Sequence, residues 1–372
     1  MRAVGMILAG GNSYRMKELS NKRAIAAMPI AGSYRSIDFA LSSMSNSHIQ
    51  KVAVLTQYNS RSLNEHLNSS KWWNFGRKQG GLFVFPPTVT AENSYWYRGT
   101  ADAIHQNLNF LRDCHEPYVV IASGDCVYKL DFNKVLEYHI AKQADVTVVC
   151  KDIPGDEDIT RFGVVRMNED GRIVQFEEKP MAATSSTISC GIYVIRRRQL
   201  IELIERSAEE GRFDFVKDVL IRYKDVRRVY GYKIDSYWSN IASVDSYYKT
   251  NMDFLKPEVR DYFFHQYPDI YTKVDDNPPA KFNPGCEVKN SLVSSGSIIN
   301  GYVEDSLIFK KVFVGENCVI KNSIVMNDVY LGDNVHLENC IVESRDTIRA
   351  NTYHIGEEGV KIVIESNERY VL

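Results

Sequence analysis

The first 150 residues alternate between short unbroken apolar runs and longer stretches whose apolar positions recur at helical spacing. Residues 3–9, 51–56, 81–87, 118–123 and 146–150 are the runs, the third stopped by Pro86-Pro87. Residues 37–44, 61–68, 100–114 and 130–143 carry the helical pattern between them. Strands spaced by helices predict an α/β fold built on a doubly wound, mostly parallel sheet. Ligands of such a sheet sit beyond the carboxyl ends of its strands. Two glycine-bearing turns fall there, Gly10-Gly11 after the first run and Gly124-Asp125 after the fourth.

Residues 151–255 continue with strand-like segments at 162–165, 171–180, 188–195 and 229–234, and helix-like ones at 199–210 and 213–223. Lys256-Pro257 breaks the pattern, and residues 275–279 are polar and proline-rich. Apolar triplets then recur about every six residues, from Ser291-Leu292-Val293 through Val312-Phe313-Val314 to Cys340-Ile341-Val342. This is the hexapeptide signature of a parallel β-helix. An ordinary antiparallel sheet is the competing reading, disfavoured because the period persists. The expected organisation is a domain over 1–255, a linker over 256–290 and a β-helix over 291–372. Open solenoid ends and sheet edges suit assembly or regulation, so a homo-oligomer is a natural expectation.

Composition narrows the classes. A chain of 372 residues, 44% hydrophobic and 25% charged, is ordinary for a globular protein and long enough for two domains. A formal net charge of −2 lacks the basic field of nucleic-acid binders, so no nucleic-acid partner is expected. Seven cysteines with no CxxC pair argue for a reducing compartment and against a disulfide framework or zinc site. No run approaches the roughly 18 apolar residues of a membrane helix, and no charged-then-apolar leader opens the chain. The expectation is a soluble cytoplasmic protein with no membrane partner.

The candidate chemistry begins at Met6-Ile7-Leu8-Ala9-Gly10-Gly11-Asn12-Ser13-Tyr14-Arg15. Two glycines let backbone N–H groups approach a phosphate, and Arg15 supplies charge against a triphosphate. A plain tight turn is the competing reading.

Further motifs follow in order: Gly32-Ser33-Tyr34-Arg35-Ser36-Ile37-Asp38-Phe39, Leu55-Thr56-Gln57-Tyr58, Trp96-Tyr97-Arg98-Gly99-Thr100-Ala101-Asp102-Ala103 and Ser123-Gly124-Asp125-Cys126-Val127-Tyr128-Lys129. Arg161-Phe162-Gly163, Phe176-Glu177-Glu178-Lys179-Pro180, Asp214-Phe215-Val216-Lys217-Asp218 and Pro278-Pro279-Ala280-Lys281-Phe282 complete them. Together, over nearly the whole chain, they resemble ADP-glucose pyrophosphorylase, the glucose-1-phosphate adenylyltransferase of glycogen and starch synthesis. The resemblance implies a Rossmann-like nucleotidyltransferase sheet followed by a left-handed parallel β-helix. It implies a reaction in which glucose 1-phosphate attacks the α-phosphate of ATP, Mg²⁺ assists and pyrophosphate leaves, chemistry that is mostly positioning and charge neutralisation. It also implies roles. Leu8, Ala9, Gly10, Gly11, Gly99, Thr100 and Asp102 fall on the nucleotide side, although Asp102 reads more as an anchor than as a chemical group. Arg15 and Asp125 fall at the reacting phosphate, with Asp125 as the metal-binding aspartate. Gly163, Glu178, Lys179 and Ser189 fall on the sugar phosphate.

The departures from the family pattern are more informative. Ser13 stands at a further glycine of the loop and Tyr14 follows it, bringing a Cβ and a ring toward the space of a triphosphate. Arg23-Ala24-Ile25-Ala26-Ala27 has Ile25 where the family places a phosphate lysine. Losing such a contact typically costs about 10²-fold in rate. Trp238-Ser239-Asn240 has Asn240 where the family carries the second metal aspartate, and a neutral amide is a poorer Mg²⁺ ligand than a carboxylate. Three such losses with the scaffold motifs kept resemble the GlgD-type, non-catalytic subunit, which modulates a catalytic paralogue in a heterotetramer. Lys22, Arg23 and Arg35 are the candidates for sugar-phosphate or nucleotide effectors, against a plain role as surface or packing charges. Two other readings stand beside this one. The chain is active alone, with Arg15, Lys22 or Arg23 replacing the lysine, or it is a hexapeptide acyltransferase using His336 or His354.

Overall fold

The computed structural model describes residues 2–76, 80–89, 95–154 and 158–365. Strand β1 (Ala3–Leu8) is followed by a small hairpin, β2 (Pro29–Ile30) and β3 (Tyr34–Arg35), and by α1 (Ser36–Asn46). Asp38 sits in the first turn of α1 and accepts from the Arg35 backbone N–H at 2.8 Å, satisfying one of the helix's orphan donors. Then come β4 (Lys51–Leu55), α2 (Arg61–Leu67) and β5 (Gly81–Phe85). The long helix expected over 100–114 is two, α3 (Thr100–Gln106) and α4 (Leu108–Arg112). Asn107 breaks it: its side-chain amide donates to the Ala103 carbonyl at 2.8 Å and to the Tyr97 hydroxyl at 2.9 Å, bonds that compete with the helical ladder. Next are β6 (Tyr118–Ser123), β7 (Cys126–Tyr128), α5 (Phe132–Ala141) and β8 (Val146–Asp152). The chain continues with β9 (Gly163–Met167), β10 (Ile173–Glu178), β11 (Thr187–Arg196), α6 (Arg197–Glu209), β12 (Val229–Lys233), β13 (Trp238–Asn240) and α7 (Val244–Asp253). The segment expected to be helical around 213–223 is a π-helix, Phe215–Ile221, capped by the Asp214 side chain.

Nine strands form one mixed sheet along the path β10-β9-β11-β6-β1-β4-β5, with β8 beside β11 and β12 beside β8. Pairing is parallel between β1 and its neighbours β4 and β6, between β4 and β5, and between β8 and β12. Strand β11 runs antiparallel to β6, β8 and β9. Central strands buried on both faces need continuous apolar runs, which is why Val52-Ala53-Val54-Leu55 and Val119-Val120-Ile121-Ala122 show no alternation.

The solenoid is a three-sided prism of three five-stranded parallel sheets. Successive coils are offset by 15 or 17 residues, as where Ile298 lies beside Phe313 and Phe313 beside Tyr330, and by 21 at the last, where Ile341 lies beside Ile362. Apolar residues such as Val303, Val314, Ile320, Leu331 and Leu337 fill its axis. Corners at Asn317, Asn322, Asn334, Asn339 and Asn351 take positive φ, which asparagine tolerates better than most residues. Lys281–Phe282 and Glu287–Lys289 pair with the coil above them, so the first coil of the prism starts inside the segment read as a linker. Residues 366–372 of the segment read as solenoid lie outside the described residues.

The third sheet of the prism faces the first domain. Leu307, Phe309, Ile324, Met326 and Ile341 share one buried cluster with Ile25, Phe39, Ile241, Val244, Tyr247, Phe254 and Phe263. The aromatic tract after Lys256 joins this cluster, with Phe263 edge-on to Phe39 at 5.4 Å.

Candidate functional site

A cleft of about 620 Å³ lies at the carboxyl ends of β1 and β6. Its walls are the loop Gly11–Arg15, the turn after β6 with Ser123, Asp125 and Cys126, the β9 and β10 ends with Gly163, Glu178 and Lys179, Ser189 in β11, and Asn240 with Ala242 after β13. Arg161, Tyr193 and Trp238 also line it.

The expected site residues divide. Gly11, Arg15, Asp125, Gly163, Glu178, Lys179 and Ser189 meet in the cleft together with the departures Ser13, Tyr14, Ile25 and Asn240. Leu8, Ala9, Gly10, Gly99, Thr100 and Asp102 do not line it. Ala9 donates to the Leu55 carbonyl at 2.9 Å, and Gly124 donates to the Leu8 carbonyl at 2.9 Å, so Leu8 and Ala9 tie the strand ends together. A Cβ on Gly10 would press on Gln57 at 3.1 Å, so that glycine serves packing. Gly99 lies so close to Phe213 that a Cβ would stand 2.3 Å from its carbonyl oxygen. Thr100 Oγ1 accepts from the Phe215 N–H at 2.9 Å. The buried Asp102 carboxylate accepts from the Arg98 backbone N–H at 2.9 Å, its Nη2 at 2.9 Å and Gln106 Nε2 at 3.0 Å. These three residues anchor α3 to the 213–215 loop, outside the cleft.

In the loop after β1, Tyr14 is 85% exposed and its hydroxyl accepts from Arg15 Nε at 3.2 Å. Ile25 is only 5% exposed. It closes the floor of the cleft while its side chain belongs to the apolar cluster shared with the solenoid. Where the family pattern places a charge, this chain has a core residue.

Around the metal position, β7 and β13 pair so that Asn240 lies opposite Cys126. Asp125 Oδ1 accepts a short hydrogen bond from Ser123 Oγ. Asn240 Oδ1 accepts from the Ala242 N–H at 3.0 Å. That backbone donor fixes the amide's orientation, and Asn240 Nδ2 therefore points at the Asp125 carbonyl (3.4 Å) and Cys126 Sγ (3.6 Å). Burial pushes the Cys126 and Cys190 thiols well above their usual range, so both are protonated packing groups rather than nucleophiles.

On the wall where the resemblance implies a sugar phosphate, Gly163 pairs with Glu178 across β9 and β10. A Cβ on Gly163 would meet the Phe176 ring at 2.7 Å and Glu178 Oε2 at 3.0 Å, so glycine permits this approach. Burial raises the Glu178 carboxyl, with the Lys179 ammonium opposing the shift. Lys179 is held at φ +50°, its N–H bonded to the Phe162 carbonyl, and its side chain, 65% exposed, ends 3.7 Å from Glu178 Oε1. A non-glycine residue in the left-handed region is costly, and this one carries a charge at the mouth of the cleft. Arg161 was named in the sequence only as part of a motif. It donates from Nη1 to Ser243 Oγ at 3.2 Å and lies over the Phe162 ring, its carbon 4.7 Å from the centroid.

Residues 4–257 match the nucleotidyl transferase family, and residues 278–361 match the C-terminal hexapeptide of GlmU-like proteins. The chain is 38% identical over 322 residues to a glucose-1-phosphate adenylyltransferase of Pseudothermotoga lettingae, covering 86% of this chain and 76% of that protein. It is 37% identical over 324 residues to one from Geobacillus stearothermophilus, covering 86% and 83%. The chain belongs to the glucose-1-phosphate adenylyltransferase family. Its prism is the left-handed β-helix of hexapeptide proteins.

Nucleotidyl transferases generally use Mg²⁺. The donors present here do not fit it. Among the described residues no group of three His, Cys, Asp or Glu could hold a metal ion, and of the two carboxylates lining the cleft Glu178 faces Lys179, while Asp125 stands beside Asn240. The carbonyl of Asn240 is already committed to Ala242, and its NH₂ presents hydrogens to the Asp125 side.

The three effector candidates also meet. Lys22, Arg23 and Arg35 line a second cleft of about 720 Å³ between the domains, with Arg61, Lys273, Lys310, Lys311 and Arg345. Two of the three are occupied. Arg23 Nη2 makes a short ion pair with Glu343. Arg35 Nη1 donates to the Ser62 carbonyl at 2.8 Å and to Ser62 Oγ at 2.9 Å. Among the described residues no helix is long and apolar enough to cross a membrane.

Proposed function

We propose that this chain is a regulatory, catalytically impaired subunit of glucose-1-phosphate adenylyltransferase in glycogen synthesis. In this reading a catalytic paralogue in the same heterotetramer converts ATP and glucose 1-phosphate to ADP-glucose and pyrophosphate. The observation that carries it is the Asp125–Asn240 pair: one carboxylate, and an amide whose oxygen is already taken. A transition state that develops negative charge needs cations facing it, and a buried Ile25 supplies none. Glu178 and Lys179 keep a polar wall able to receive a sugar phosphate. The interdomain cleft, rich in basic side chains, suits an anionic effector, a sugar phosphate or a nucleotide.

The test is pyrophosphate release from ATP and glucose 1-phosphate by the purified chain, alone and mixed with a catalytic paralogue from the same genome. Inactivity alone, with a changed maximal rate or effector response in the mixture, is the expected result. A second reading, an enzyme competent alone, is favoured by Arg15 and Arg161, two guanidiniums at the cleft. Saturable turnover by the chain alone, at rates of active family members, would establish it and remove the first.

A further inference from the structure

Two of the departures hydrogen-bond to the backbone of the same residue, Ala242. Ser13, in the loop after β1, donates from Oγ to the Ala242 carbonyl at 2.7 Å, across 229 residues of chain. The Ala242 N–H in turn donates to Asn240 Oδ1 at 3.0 Å. Asn240 Nδ2 then reaches the Asp125 carbonyl, which already accepts from the Ile241 N–H at 3.0 Å. Neither Ser13 nor Asn240 is therefore an isolated replacement. A glycine at 13 has no hydroxyl to reach Ala242. An aspartate at 240 still accepts from Ala242 but has no hydrogen to give Asp125.

We propose that Ser13 and Asn240 act as one latch, positioning residues that pin the loop after β1 to the β13–α7 segment and hold the Asn240 NH₂ against the Asp125 backbone carbonyl, so that the cleft excludes a divalent cation. The latch is anchored on its far side. Ile241, between Asn240 and Ala242, is fully buried in the core shared with the solenoid. Ser243, the next residue after Ala242, is held by Arg161. The segment thus has little freedom, and the loop takes its position from it. The local backbone at Ser13, φ −138° and ψ 119°, suits any side chain, so the hydroxyl rather than the backbone makes the tie.

Amide hydrogen exchange tests the tie directly, because the Ala242 N–H is one of its links. With the full chain, Ser13→Ala is expected to speed exchange at least tenfold in peptides covering 10–16 and also in those covering 238–243. Asn240→Ala is expected to do the same in both places. Ser13→Thr keeps a hydroxyl and is expected to restore protection, which a merely disturbed loop would not do. Melting curves identify any variant that is globally unstable, and the Ser13→Thr result then carries the decision. Exchange that rises only in 10–16 on Ser13→Ala overturns the latch.

Binding of Mn²⁺, followed by the electron paramagnetic resonance of the free ion, tests cation exclusion, and this arm rests on reading the cleft as a nucleotide site. The wild-type chain and Asn240→Asp are expected to bind weakly. Ser13→Gly combined with Asn240→Asp is expected to bind at least tenfold more tightly than Asn240→Asp alone. Equal affinities would mean that the two positions are independent and the proposal fails. Activity of the unaltered chain alone would remove the regulatory reading and leave the exchange result standing, so the two failures are separable.

Discussion

Arg23 of the first domain and Glu343 of the solenoid form a short ion pair with both side chains out of water, 11% and 1% exposed. Arg23 also donates to Ser344 Oγ at 3.1 Å, and Glu343 Oε2 has no hydrogen-bond partner. An arginine that the sequence offers as an effector contact thus serves first as a bolt between domains. Removing it leaves a buried carboxylate uncompensated, which costs about 3–5 kcal/mol. Arg23→Ala is expected to lower the urea midpoint substantially, whereas Lys22→Ala, one residue earlier and exposed, leaves it within error. Equal, small effects of both would mean that the pair contributes nothing to the union of the domains.

Ile25 gives a second prediction. Ile25→Lys puts an ammonium into an apolar cluster, and a loss of about 2–3 kcal/mol is expected from burying it. The single substitution is expected to leave the chain without pyrophosphate release, because Asn240 still withholds a carboxylate. Ile25→Lys together with Asn240→Asp and Ser13→Gly is expected to give measurable release from the chain alone. Activity from the single variant would show that the charge, not the second carboxylate, is what the cleft lacks.

Gly163 gives a third. A methyl group there meets the Phe176 ring and the Glu178 carboxylate. Gly163→Ala is expected to weaken glucose 1-phosphate binding about tenfold, roughly 1.4 kcal/mol, in calorimetric titration. Gly76→Ala, where a Cβ meets nothing within 4 Å and the backbone is not left-handed, serves as the comparison and is expected to leave that affinity unchanged.

His139 sets a pH dependence of stability. On α5 its Nδ1 lies 2.9 Å from Thr147 Oγ1, and Nε2 has no partner. Burial, with a smaller push from Arg196, lowers it from 6.5 to about 4. Between those values the unfolded chain binds a proton that the folded chain refuses. Stability is therefore full above pH 6.5 and falls as the pH drops toward 4, by at most about 3 kcal/mol. In His139→Gln the difference in urea midpoint between pH 7 and pH 4.5 is expected to shrink. A difference as large as that of the unaltered chain would assign the acid sensitivity elsewhere.

The strands of the sheet were legible because central strands must be apolar on both faces, and the coils because each must turn an apolar triplet inward. The first coil was not, since Phe282 is exposed and Val288 stands between Glu287 and Lys289, leaving no triplet to see. The break at Asn107 was hidden because it depends on a hydroxyl ten residues away. Asp125 stood out as the end of an apolar run, whereas Glu178 and Lys179 were offered only by the family resemblance; the three line one cleft because they follow or end strands of one sheet. Gly99, Thr100 and Asp102 belong to a conspicuous motif, yet they face the 213–215 loop, a contact more than a hundred residues distant that no local pattern carries. The Ser13–Ala242 bond is of the same kind.

The shared cluster of Ile25, Phe39, Tyr247, Phe309 and Met326 has a consequence for modularity. Cutting the chain near Pro278-Pro279 would uncover Leu307, Phe309 and Ile324 on one piece, and Ile241, Phe254 and Phe263 on the other. The two segments that match separate families are therefore expected to unfold as one cooperative unit, with a single transition in a calorimetric scan of the full chain.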